Sequence, residues 1–230
     1  MRETLNNTIH PEGLTEARED LCFRLLTTGA IKFGNYRMKL HDTNPEAPLS
    51  PIYIDLRVLR RFPSSKSVAV SAYEELVKPL EFDLMADVPT AATPLVSTLS
   101  DRLNVGMISP RAGAKTHGSG AKIDGLLEED KGKIVVVIDD LVTGADSKME
   151  AINTLLENGL IVKDVVVLID RGQGGREQLA AKGYTLHSAL TMDQMLRYYE
   201  RTGLIKSDIY QLTAQRLQAL NQFLELNKSV

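Results

Sequence analysis

The sequence has no tryptophan, and aromatic residues make up only 5% of it. That leaves few side chains on which the bases of a single-stranded nucleic acid could stack. It has no excess of positive charge either: 27 basic against 30 acidic residues give a formal net charge of −3, so the basic footprint of a nucleic-acid binder is missing. One cysteine, Cys22, excludes an intramolecular disulfide. No apolar run approaches the roughly 18 residues that a bilayer span needs. The opening MRETLNNTIHPEG lacks the apolar core of a secretory signal, so the expected setting is cytoplasmic. Internal repeats, low-complexity tracts and long Pro/Gly/Ser linkers are absent too. The four histidines, His10, His41, His117 and His187, show no metal-ligand spacing.

What is present is a chain of 230 residues, 43% of them hydrophobic, enough for one main core. The expected organisation is a single domain with a small N-terminal hood over about residues 1–60, a core over about 61–205 and a C-terminal helix over about 207–228. Apolar spacing predicts helices over 15–28, 68–78, 93–103, 148–158, 193–202 and 207–226. The segment IKFGNYRMKL, with Gly34 in its middle, reads as two strands joined by a tight turn. Further strands are expected in IYIDLR, around 82–88, in VGMIS and around 185–189. RAGAKTHGSG, residues 111–120, carries three glycines among basic and polar residues and reads as a surface loop.

The strongest unit is KIVVVID, an unbroken apolar run ending in acid, as expected of a parallel strand covered on both faces. A polar turn, DLVTGADS, follows, then a helix with Gly159 at its end, then a second buried strand in VKDVVVLID. Strand, helix and strand in that order imply a parallel crossover and an α/β fold with a central parallel sheet flanked by helices. Ligands of such sheets bind beyond the C-terminal strand ends. Asp139 and Asp140 stand there, and the small or polar residues from Thr143 to Ser147 let several backbone N–H groups converge on a phosphate. The plain alternative is an ordinary strand-to-helix turn in which Ser147 or Asp146 caps the helix.

KIVVVIDDLVTGADS resembles the phosphoribosyl pyrophosphate (PRPP) signature of type I phosphoribosyltransferases. The stretches KFGNYRMK, SPIYIDLR, DVPTAATPL, RAGAKTHG and LIDRGQGGREQLAAKGYTLHS are similar, in the same order over roughly residues 20–200, to orotate phosphoribosyltransferases. The resemblance implies an enzyme that forms orotidine 5′-phosphate and pyrophosphate from orotate and PRPP. It also implies a homodimer in which a basic loop reaches the neighbouring subunit's site, and Mg²⁺ held mainly by substrate phosphates, with no protein metal cage. By the same resemblance, Asp139 and Asp140 hold the ribose hydroxyls, and Leu141, Val142, Thr143, Gly144, Ala145, Asp146 and Ser147 form the 5′-phosphate loop. Arg111, Lys115 and His117 supply the basic loop, with Lys115 catalytic together with the two acids. Lys39 lies where both substrates meet, and Tyr53, Ile54, Thr143 and Arg171 complete the orotate pocket. A separate orotidine-phosphate decarboxylase is an expected partner, since 230 residues leave no room for a following barrel, which needs about 200.

The chain departs from the family pattern in four places. Ala112 follows Arg111 where a lysine is usual, Asp87 opens the usual Gly-Val-Pro, the glycine of the phosphate loop has moved one place with Asp146 entering it, and the segment from Lys39 to Ser50 is long. These departures keep open an alternative, a non-catalytic or regulatory PRPP- or nucleotide-binding paralogue of the same fold.

Overall fold

The computed structural model describes residues 12–111 and 122–227. The chain runs α1 (Glu16–Thr27), β1 (Ile31–Tyr36), β2 (Ser50–Ile54), α2 (Pro63–Val77), β3 (Leu84–Asp87), α3 (Thr93–Leu103) and β4 (Met107–Pro110). It continues through β5 (Ile123–Asp124), β6 (Ile134–Val142), α4 (Asp146–Glu157), β7 (Ile161–Asp170), α5 (Gly175–Ala180), β8 (Thr185–Thr191), α6 (Met192–Arg201) and α7 (Ser207–Leu226). These elements form two compact units, one of Met1–Ser65 with Met192–Val230 and one of Lys66–Thr191.

In the first unit β1 and β2 pair antiparallel, with Ile31 opposite Ile54 and a register shift between Phe33 and Tyr36. The tight turn expected at Gly34 is therefore not there. Gly34 lies inside β1 at the irregularity, and a Cβ on it would stand 3.2 Å from the Tyr36 ring, so the glycine accommodates a folded-back tyrosine in place of a reversal. The long segment between the strands is pinned by His41. Its Nδ1 accepts the Met38 N–H at 2.9 Å, and its Nε2 lies 3.1 Å from the Ala47 carbonyl oxygen. Helices α1 and α6 pack together in this unit, and the buried Tyr199 hydroxyl donates to the Cys22 carbonyl at 3.0 Å.

The second unit is a six-stranded sheet in the order β5-β4-β3-β6-β7-β8, parallel except for the antiparallel β4–β5 pair. Its centre is as apolar as the sequence predicts. Val135 to Ile138 and Val165 to Ile169 are at most 1% exposed, since α3, α4 and α5 pack on the strands and both faces are covered. Strand β6 runs further than expected: Asp139, Leu141 and Val142 stay in register with Val167, Ile169 and Asp170 of β7. DLV is thus ladder rather than turn, because β7 is long enough to keep pairing it. Gly159, with φ of 81°, follows the C-cap Asn158 of α4, where a left-handed residue releases the chain toward β7.

The stretch DRGQGGREQ leads from the end of β7 into α5, which apolar periodicity alone does not mark. Asp170 accepts the Gly172 N–H at 2.9 Å and the Arg176 Nε at 3.1 Å, and Gly174 enters α5 with φ of 94°. Gly175 then sits directly against the end of β6: a Cβ there would stand 2.4 Å from Val142 Cγ2 and 2.8 Å from the Thr143 carbonyl oxygen. The second of these is backbone and cannot turn aside. Gly175→Ala is expected to lower stability by about 1–3 kcal/mol through overpacking, measurable as a reduced urea midpoint with unchanged far-ultraviolet dichroism.

Candidate active site

The order of the sheet places a reversal of chain direction between β3 and β6. From β3 the chain proceeds outward to β4 and β5, and from β6 it proceeds the other way to β7 and β8. Loops that leave two such strands on opposite sides open a crevice at their C-terminal ends. A cavity of about 300 Å³ lies there, with Val88, Pro89 and Ala91 after β3 on one side. Asp139, Asp140, Leu141, Thr143, Gly144, Ser147 and Lys148 line it from β6 and the start of α4.

Asp139 is 5% exposed and its environment is fully built. Oδ1 accepts the Asp140 N–H at 2.8 Å, Oδ2 lies 2.6 Å from Lys148 Nζ, and the backbone carbonyl accepts the hydroxyl of the buried Tyr73, from α2, at 2.6 Å. Burial and the two nearby carboxylates push the Tyr73 phenol well above its ordinary range. Asp140 is less buried, and its Oδ1 accepts the Leu141 N–H at 2.8 Å. Burial first, then the Asp139 charge and a hydrogen bond to Asp139, raise the Asp140 carboxyl to a pKa of about 7, while Lys148 and the Leu141 N–H oppose the rise.

The turn that follows opens α4 without a side-chain cap. Ala145 is the N-cap residue, so neither Ser147 nor Asp146 caps the helix, contrary to the plain alternative; both already belong to its first turn. The Ala145 N–H is instead taken at 2.8 Å by Gln178 Oε1 from α5. Asp146 is exposed and does not line the cavity, a place where an acid at a helix N-terminus is favoured. Asp87 is also kept out of it. At 0% exposure, its carboxylate accepts the Ser109 hydroxyl at 2.6 Å and the Thr93 hydroxyl, tying the end of β3 to β4 and α3. Two of the four departures from the family pattern thus leave the cavity wall intact.

Among the other residues singled out in the sequence, Val142 is fully buried core and Leu141 offers its carbonyl to Lys148 at 2.6 Å. Arg171 follows β7, its N–H donating to the Val142 carbonyl at 3.1 Å, and burial lowers the pKa of its guanidinium. Arg111 leaves β4 with its guanidinium forked onto Asp124 and lines a second cavity of about 410 Å³ that shares Val88, Pro89 and Ser147 with the first. Lys39, exposed in a short 3-10 helix, and Tyr53 and Ile54 of β2 belong to the first unit. Ala112, Lys115 and His117, with most of the expected basic loop, lie outside the described residues. Lys148, Gln178 and Tyr73 are functional neighbours that the sequence reading missed. Only Lys148 carried a legible signal, a cation in the first turn of a helix.

The arrangement suits a phosphorylated sugar: carboxyl chemistry at the strand end accepts from a diol, and the backbone N–H groups of a helix-opening turn receive a phosphate. Among the described residues, no group of three or more His, Cys, Asp or Glu is placed to hold a metal ion. With Asp139 already paired to Lys148, a divalent cation would be held by ligand phosphates and water. Among the same residues no helix is long and apolar enough to cross a membrane.

No family model matches the chain. It is 36% identical over 197 residues to the bifunctional enzyme PyrF/PyrE of Nostoc sp., a match covering 85% of this chain and 40% of that protein. The chain therefore spans two fifths of that relative's length. It is 33% identical over 188 residues to the orotate phosphoribosyltransferase of Methanopyrus kandleri, covering 81% of this chain and 97% of that one. The crystal structure of orotate phosphoribosyltransferase from Aeropyrum pernix superposes with a TM-score of 0.68 at 31% identity, covering 81% and 99% of the two chains.

Because its folded pKa of about 7 lies above the ordinary 3.8, Asp140 holds its proton more tightly in the folded chain. That contribution to stability is complete below about pH 4 and is lost as the pH rises through about 7. Asp140→Asn removes the loss. The variant is expected to be more stable than the parent by about 1–3 kcal/mol at pH 8 and to show a smaller gain at pH 5, checked by thermal unfolding at both values.

Proposed function

The chain belongs to the orotate phosphoribosyltransferase family, and we propose that it transfers the phosphoribosyl group of PRPP to orotate, giving orotidine 5′-phosphate and pyrophosphate. The observation that carries the reading is the cavity between β3 and β6, where Asp139 and Asp140 face a turn that opens α4. In the proposed reaction the bond from the ribose anomeric carbon to the pyrophosphate oxygen breaks, the pyrophosphate leaves with the electron pair, and the carbon bonds to the orotate ring nitrogen, whose proton passes to the released pyrophosphate or to water. Positive charge develops on the ribose ring as the leaving group departs. The carboxylates stabilise that charge at the strand end where the diol is held, while the N–H groups around Thr143 and Gly144 and the α4 terminus take the 5′-phosphate.

Bound Mg²⁺ would supply charge neutralisation on the departing pyrophosphate. Lys115 is assigned the same task from the protein side, and Arg111 and His117 the hold on the pyrophosphate. For Arg111 this means exchanging Asp124 for a phosphate oxygen, or bridging the two. Arg171 is assigned to orotate: a partly desolvated guanidinium gains more from a planar carboxylate than an exposed one does. A cytoplasmic homodimer is proposed on the family resemblance. A decarboxylase acting on the product is the proposed functional partner, and the match to part of a bifunctional relative supports such an association.

The removal of Asp87 and Asp146 from the cavity favours catalysis over the non-catalytic paralogue. Purified chain with PRPP and Mg²⁺ is expected to consume orotate, followed by its absorbance, and to leave uracil untouched. Lys115→Ala should lower kcat by about 10²–10³-fold, and Arg171→Ala should raise the orotate KM by about 10–100-fold. Binding of PRPP with no turnover of orotate would overturn the transferase reading in favour of the paralogue.

A further inference from the structure

One cation of the site has no role in the proposed reaction. Lys148 is the third residue of α4, where the helix dipole favours anions over cations. It is nevertheless only 4% exposed, and a buried ammonium is costly unless its protons all find acceptors. They do: Nζ lies 2.6 Å from Asp139 Oδ2, 2.6 Å from the Leu141 carbonyl oxygen and 3.3 Å from Ser147 Oγ. Asp139 commits its other oxygen to the Asp140 N–H at 2.8 Å, so both of its carboxylate oxygens are engaged within the protein. Asp140, one residue on, is the less buried of the two.

Resting on the transferase reading, we propose that Lys148 is a positioning residue that fixes Asp139 as a charged internal anchor and leaves Asp140 as the carboxylate that receives the ribose hydroxyls of PRPP. The two acids thereby divide the work. Asp139, held by Lys148 and, through its carbonyl, by Tyr73, sets the shape of the strand end; Asp140 meets the ligand.

Among the described residues, few other charges reach the pair. Facing Asp140 are Asp139 on its own strand, Lys148 from α4 and the Tyr73 phenol from α2. On the neighbouring strands, Asp87 of β3 is taken up by Thr93 and Ser109 and Asp170 of β7 by Arg176 and the Gly172 N–H. Among the described residues, Lys148 is thus the cation that offsets the two carboxylates. Its removal raises the pH at which the pair gives up its last proton. Ionised carboxylates accept hydrogen bonds more strongly than neutral ones, so PRPP use should then fail at neutral pH and recover in more alkaline solution.

The test compares the parent chain with Lys148→Met and Lys148→Arg, following the Asp140 carboxyl by carbon-13 NMR of aspartate-labelled protein and the pH profile of kcat/KM for PRPP. In Lys148→Met, the NMR midpoint and the acid limb of the profile should both move upward by about one pH unit or more, and Lys148→Arg should restore both. Lys148→Gln, which keeps donors without the charge, is read in the same way if the Met variant does not fold. A folded, uncharged variant with an unmoved midpoint, or with activity lowered equally at every pH, overturns the proposal. So does a moved midpoint with an unmoved acid limb. The NMR midpoint needs no turnover, so a parent chain that uses no orotate, with a midpoint that still moves in Lys148→Met, supports the charge pairing and overturns the transferase reading instead.

Discussion

Asp139 and Asp140 stand side by side near the end of a buried parallel strand, and taking a carboxylate out of water costs several kcal/mol unless charge and hydrogen bonds replace the solvent. The surroundings of β6 supply that replacement piece by piece. Lys148 lies at 2.6 Å from one acid, backbone N–H groups of Asp140 and Leu141 reach the pair at 2.8 Å, and the Tyr73 hydroxyl holds the strand from α2. The compensation is incomplete by design of the site. Burial and the adjacent Asp139 charge raise the Asp140 pKa further than Lys148 and the Leu141 N–H can offset, and an incompletely compensated carboxyl at a cavity wall is one that a ligand can still engage.

The same local problem explains why DRGQGGREQ follows β7. The glycine at 175 allows α5 to approach Val142 and Thr143 closely, and from there Gln178 reaches the Ala145 N–H at 2.8 Å. One donor of the phosphate turn is thereby already satisfied within the protein, and the turn is braced from outside its own sequence. Bracing of this kind lowers the entropy lost when a ligand is bound, since the backbone donors are ordered beforehand. Asp87 performs a related service on the other side of the crevice, joining β3, β4 and α3 through Ser109 and Thr93.

Much of this was legible in the sequence where the signal is local. The apolar runs in β6 and β7 announced strands buried on both faces, because only a parallel strand covered by helices tolerates such continuity. Residues Thr93–Leu103 were readable as a helix to the residue, and the C-terminal helix expected to about 228 runs Ser207–Leu226. Two readings failed for a shared reason. Gly34 was taken for a turn, and DLV for part of one, yet each is strand because a partner strand continues alongside it. Turn chemistry describes what a segment permits, while the presence of a paired neighbour decides whether it is used.

By itself, the sequence determined the alternation of strands and helices, the position of the two acids before a small polar turn, and the family to which the motifs point. These depend on short-range periodicity and on residues adjacent in the chain. Only the tertiary structure decided that Lys148 turns back onto Asp139, that Gln178 takes the Ala145 N–H, and that Asp87 and Asp146, both ominous as acids near a phosphate, stand clear of the cavity. Each of those outcomes depends on strand register and helix rotation between segments separated in the chain. The electrostatic cost of burying a charge is settled by whatever that packing brings within about 3 Å of it.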